Sequence, residues 1–75
     1  MTPEEILARV CGVSPEIIDN EASNSTLPEW DSLAHVILVM ELEAAYNVKL
    51  SVDDALALTN VQAIRNMLLA RGATW

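Results

Sequence analysis

The residues of this chain that could do chemistry lie close together. Asp31, Ser32 and His35 put a carboxylate, a hydroxyl and an imidazole into one short stretch. If a helix begins near Ser32, residues three apart share a face, so Ser32 and His35 can approach each other. That grouping would allow a nucleophile, a base and an orienting acid. Against it, no oxyanion hole is identifiable, and 75 residues offer little material to shape a substrate pocket. His35 is read more simply as a helix residue flanking whatever Ser32 carries. A second chemistry suits the position better. Unpaired backbone N–H groups and a partial positive charge at a helix N-terminus stabilise a phosphate attached there. An Asp-Ser pair is also an ordinary helix cap, and these residues alone leave both readings open. Cys11 is the only cysteine, so no disulfide can form within the chain, and it reads as a small buried hydrophobe. No Cys/His cluster has metal-ligand spacing, and no metal site is expected.

The elements that must position these groups are helices. Thr2-Pro3-Glu4-Glu5 reads as a helix start, with Thr2 as cap, Pro3 at the first helical position and Glu5 closing a capping box. Ile6, Leu7, Val10 and Cys11 follow at helical spacing, and Gly12 can end the helix. Residues 12 to 30 form a long connection with Pro15, Pro28 and a polar run from Asn20 to Thr26. Ser14-Pro15-Glu16 could start a short helical turn that sends Ile17 and Ile18 toward the core. A second helix is expected from Ser32 to Tyr46, capped by Asp31 or Ser32. Ser51-Val52-Asp53-Asp54 is another capping box and opens a short third helix. A fourth runs from about Asn60 to Arg71, with Thr59 and Gln62 at capping-box spacing and Val61, Ile64, Met67 and Leu68 as its buried stripe. Asn47-Val48-Lys49-Leu50 is brief enough to be a loop. The expected fold is all-α, a small four-helix bundle of three main helices and one short one, with a long loop between helices 1 and 2.

The second helix is apolar on two sides. Leu33, Val36, Ile37, Met40 and Ala44 fall on one stripe, and Leu38, Val39, Leu42, Ala45 and Tyr46 lie largely opposite. A helix apolar nearly all round is normally fully buried or in a membrane. This one is too short to span a bilayer, and so small a domain has too few elements to cover both sides. One stripe is therefore expected at least partly in water, where an apolar stripe usually marks a partner or ligand site. The bulkier set with Leu38, Leu42 and Tyr46 is assigned to the core.

Size and charge narrow the function. Residues 1–75 are read as a single domain with a modest core. Eleven acidic residues against four basic ones give a net charge of −7. Such a surface repels nucleic acid, whose binding relies on Lys and Arg, and it repels acidic membranes. It favours basic protein partners, or simply keeps a small protein in solution. The start, Met-Thr-Pro-Glu-Glu, lacks the pattern of a signal peptide, and no apolar run approaches a membrane span. A cytoplasmic monomer is the expectation.

Asp31-Ser32-Leu33 resembles the attachment motif of the acyl carrier and peptidyl carrier protein family. The similarity continues through Val36-Ile37-Leu38-Val39-Met40-Glu41-Leu42-Glu43 and extends to Thr59-Asn60-Val61-Gln62-Ala63-Ile64. The resemblance implies that a phosphopantetheinyl transferase moves 4′-phosphopantetheine from coenzyme A, with bound magnesium, onto the oxygen of Ser32. It implies that Asp31 and Leu33 flank the attachment point, and that cargo is carried as a thioester. By the same resemblance the chain catalyses nothing and presents its cargo to acyl-loading and acyl-accepting enzymes with basic docking surfaces. Leu33, Val36, Ile37 and Met40 would be the apolar contacts, with Glu41 and Asp31 meeting basic residues. Leu38, Leu42, Tyr46, Leu50, Leu58, Ile64 and Leu68 would build the core. Pro28-Glu29-Trp30 stands where the family often has glycine, a form similar to small stand-alone bacterial carriers of specialised pathways. Ala34 and Ile37 occupy places where carriers of fatty-acid synthesis frequently have acidic residues. Fatty acyl, polyketide, glyceryl-like and aminoacyl cargo would all attach through the same thiol. The rival expectation is an interaction adaptor that shares the fold and is never modified.

Overall fold

The computed structural model describes all 75 residues. It is built from α1 (Pro3–Cys11), a 3-10 turn (Pro15–Ile17), α2 (Ser32–Tyr46), α3 (Val52–Ala57) and α4 (Val61–Ala70), with no strands. The limits follow from local chemistry. The hydroxyl of Thr2 accepts from the amide of Glu5, and the Glu5 carboxylate accepts from the amide of Thr2, closing the expected capping box. Gly12 ends α1 in the left-handed region at φ 71°, where a residue without Cβ is unstrained. Asn47, the one non-glycine residue at positive φ, ends α2 in the same way.

α1 packs against α2 and α4, and the core forms between them. Ile6, Leu7, Leu38, Leu42, Leu58, Val61, Ile64 and Leu68 are all but removed from solvent. Each such side chain contributes about 1.5–3 kcal/mol relative to exposure. Tyr46, Leu50 and Met67 pack on the edge of this cluster and are half-buried. The long connection carries anchors of its own, because Ile18, Ala22, Leu27 and Trp30 are buried. Its middle is pinned to the start of α4 by the amide of Asn24 on the Thr59 carbonyl and the amide of Val61 on the Ala22 carbonyl.

Two expectations need correction. Ile18 points inward at 7 % exposure, but Ile17 is 57 % exposed. A 3-10 turn has three residues per turn, so adjacent side chains diverge and cannot both face one core. At α4 the cap is not a Thr59–Gln62 box. Asn60 caps it, its side-chain oxygen accepting from the amide of Ala63 at 2.7 Å. Asn60 forms the isolated bridge with Ser23, so its backbone is extended and the helix begins one residue later, at Val61.

The far end of α2 is closed by the chain termini. The hydroxyl of Tyr46 donates to the carbonyl of Met1 at 2.7 Å. Trp75 docks edge-on to Tyr46, with the guanidinium of Arg65 5.4 Å above its ring, and Arg65 also pairs with Glu4.

Candidate functional site

The site is built on the first turn of α2. Asp31 has extended backbone and caps the helix, its carboxylate accepting from the amide of Ala34 at 2.9 Å. The capping task thus belongs to Asp31 and leaves the hydroxyl of Ser32 free. Ser32 is the first helical residue and is exposed. Its position beside the free N–H groups of the first turn favours an anionic substituent.

An open depression of about 640 Å³ adjoins Ser32. Asn24 and Ser25 of the long connection, Trp30, Asp31 and His35, and Leu56 and Thr59 from α3 and its exit line it. The sequence singled out Asp31, Ser32 and His35 here. It did not single out Trp30 as a site residue, and it missed the residues arriving from the long connection and from α3. Trp30 carried one readable signal. A buried indole seeks a partner for its N–H, and His35 is one of the nearby side chains able to accept it, beside Glu29, Asp31 and Ser32. The lateral placement of α3, which brings Leu56, has no such local signal.

His35 is committed on both ring nitrogens. Its Nδ1 accepts from Nε1–H of Trp30 at 3.0 Å, and its Nε2 lies 2.7 Å from the carbonyl oxygen of Ala55. The indole can only donate and the carbonyl can only accept, so the neutral ring carries its proton on Nε2. The two rings are tilted by only 20° with centroids 6.0 Å apart, the geometry of an in-plane N–H···N bond rather than of face-to-face stacking. With both nitrogens occupied, His35 has no lone pair for the proton of Ser32. The nucleophile–base arrangement that the spacing allowed is not assembled.

Along α2, Leu33, Val36, Ile37 and Met40 lie outward, between 41 % and 70 % exposed, while Leu38 and Leu42 are fully buried. The bulkier stripe is thus the inner one. Glu41 stands beside the outward stripe and pairs with Arg9 at 2.9 Å. Both side chains are well exposed, and a pair of this kind is worth about 0–1 kcal/mol, so it exchanges easily for an external cation. Val52 and Leu56 on α3 extend the exposed apolar area. Cys11 is half-buried, and burial first, then the nearby charges of Glu29 and Asp31, push its thiol pKa up. That environment disfavours a reactive thiolate. No group of three or more His, Cys, Asp or Glu is placed to hold a metal ion, and no helix is long and apolar enough to cross a membrane.

No curated protein sequence matches the chain. A family model does, covering residues 4–68 and described as a phosphopantetheine attachment site, the domain on which 4′-phosphopantetheine is covalently carried. The span takes in α1, the long connection, α2, α3 and most of α4, and the chain therefore belongs to the phosphopantetheine-attachment family of acyl and peptidyl carrier proteins.

Proposed function

We propose that residues 1–75 act as one carrier domain, an acyl carrier protein in which Ser32 is the attachment point of 4′-phosphopantetheine. The observation that carries this reading is the free, exposed hydroxyl of Ser32 at the first position of α2, with the cap supplied by Asp31. The residues present fit the group. A phosphodiester at Ser32 would meet helix-terminal N–H groups, and the depression beside it offers room and polar lining for an amide-containing chain. When attached, the group supplies a flexible arm ending in a thiol, on which acyl or aminoacyl cargo rides as a thioester.

The chain's own residues then have distinct tasks. Ser32 Oγ would attack the pantetheine-bearing phosphorus of coenzyme A, forming the phosphodiester as the pyrophosphate bond breaks and adenosine 3′,5′-bisphosphate leaves, with the serine proton passing to the modifying phosphopantetheinyl transferase. Asp31 holds the helix terminus in place and, with Leu33, flanks the attachment point. Leu33, Val36, Ile37 and Met40 form the apolar part of a docking surface for loading and accepting enzymes. Glu41 and Asp31 add negative charge that draws basic partner surfaces, in keeping with the net charge of −7. The chain works as a monomer in the cytoplasm and performs no chemistry on the cargo itself.

One rival is favoured by the same exposed stripe, namely an unmodified adaptor that uses the carrier fold only to bind proteins. Intact mass after incubation with coenzyme A and a broad-specificity phosphopantetheinyl transferase separates the two. The carrier gains one phosphopantetheine, and Ser32→Ala gains none. Absence of any gain with several transferases would support the adaptor.

A further inference from the structure

α3 is the least anchored helix of the fold, and it walls the depression beside Ser32. None of its six residues is buried, and two of its apolar side chains, Val52 and Leu56, face solvent. Packing therefore does little to hold it. Polar ties do. At its start Arg71 donates to the Asp54 carboxylate and to the carbonyl of Lys49. At its exit the buried Leu58 enters the core. On the side toward Ser32, the tie is His35, which donates from Nε2 to the carbonyl of Ala55 while accepting from the indole of Trp30. Trp30 is only 2 % exposed, so its end of the chain of bonds is rigid. The bonds run from a buried anchor in the long connection, through the helix that carries Ser32, to the backbone of α3.

We propose that His35 is the positioning residue for the attachment reaction at Ser32, holding α3 in register with the start of α2 so that a transferase meets one preformed surface. This inference rests on Ser32 being the modified residue. His35 acts through α3 and touches no reacting group. Its part is in recognition, so its loss weakens binding of the transferase in the ground state and transition state alike. Such a loss raises KM and leaves kcat unchanged. The surface read by the transferase accordingly includes Leu56, which the tie brings to the rim of the depression.

The test compares the full chain with His35→Leu, which keeps an apolar side chain but loses both bonds, and with His35→Gln, whose amide can accept from Trp30 and donate to Ala55. Hydrogen exchange is followed at the Trp30 indole and at the amides of Ala55, Leu58 and Thr59, beside transferase kinetics with coenzyme A. Losing a hydrogen bond should speed exchange at these sites in His35→Leu by roughly 2- to 10-fold, with α1 and α4 unaffected. KM for the carrier should rise at constant kcat, by no more than that factor because it follows the fraction of chains with α3 docked, and His35→Gln should recover most of both effects. Unchanged exchange in α3, acceleration spread evenly over all helices, or a fall in kcat at constant KM would each overturn the proposal. A measurement on the wild-type chain stands independent of whether the variants fold. The ¹⁵N shifts of His35 should show Nε2 protonated and Nδ1 bare, and the opposite tautomer overturns the tie. If no transferase loads the wild type, the assignment of Ser32 fails, while exchange and tautomer still decide whether His35 holds α3.

Discussion

The separation of tasks between Asp31 and Ser32 gives the sharpest prediction. In the structure Asp31 Oδ1 accepts the Ala34 amide at 2.9 Å, and the hydroxyl of Ser32 has no part in the cap. Asp31→Ala removes an N-cap on an exposed helix end, which costs about 1 kcal/mol within a usual span of 0.5–2. For a domain of this size that lowers Tm by roughly 4–8 °C. Asp31→Asn keeps an equally good capping oxygen and should stay within a few tenths of a kcal/mol of the parent. Ser32→Ala changes an exposed side chain free of structural duty and should stay within about 0.5 kcal/mol. Thermal unfolding by circular dichroism, run on all four proteins beside the mass-gain assay, gives two independent orderings. Stability should rank the parent, Asp31→Asn and Ser32→Ala together, with Asp31→Ala below them. Loading should be lost completely in Ser32→Ala alone. If Ser32→Ala lost as much stability as Asp31→Ala, the serine would be structural, and its failure to load would no longer speak for attachment.

Further predictions concern the outward apolar stripe of α2, the third helix and the chain end. Met40 is 63 % exposed and Leu42 fully buried, so Met40→Glu should weaken partner binding with little change in Tm, whereas Leu42→Ala should cost about 2–5 kcal/mol. A large fall in Tm for Met40→Glu would place that residue in the core instead. The backbone amide of Ser51 above all, then the side chains of Arg71 and Ser51, hold the Asp54 carboxyl below its ordinary value of 3.8. A depressed folded value means that this contribution is complete above the ordinary value and is lost as pH falls through the folded one. NMR titration should therefore find Asp54 protonating later than an ordinary Asp on acidification, with α3 fraying in that acid range and not at neutral pH. An ordinary midpoint would show that the Ser51–Asp54 box is not held in solution. Trp75→Ala removes the edge contact with Tyr46 and the cation–π contact with Arg65. It should lower stability by about 1 kcal/mol, read as a lower urea midpoint at constant m value. No shift would mean the ring does not dock.

What the sequence alone determined is the part governed by neighbours a few positions apart. Caps at Thr2 and Ser51, the stop at Gly12 and the span Ser32–Tyr46 could be read because each rests on bonds within about one helical turn, while the cap of α2 stayed open between Asp31 and Ser32 until the structure gave it to Asp31. The Asp31-Ser32-Leu33 motif that carries the family resemblance was legible for the same reason, being contiguous. Periodicity also showed that α2 has two apolar sides, and side-chain bulk was enough to choose between them. Where local rules left two candidates, tertiary contact decided. Asn60 displaced Thr59 as cap because Ser23, far away in the chain, pairs with it and extends its backbone. Ile17 stayed outside because only one residue of a tight turn can meet the core. The tie from Trp30 through His35 to Ala55 spans the long connection, α2 and α3, so no spacing rule could reveal it. It exists only once the packing of α1 and α4 has fixed α2 and left α3 to be held by polar bonds.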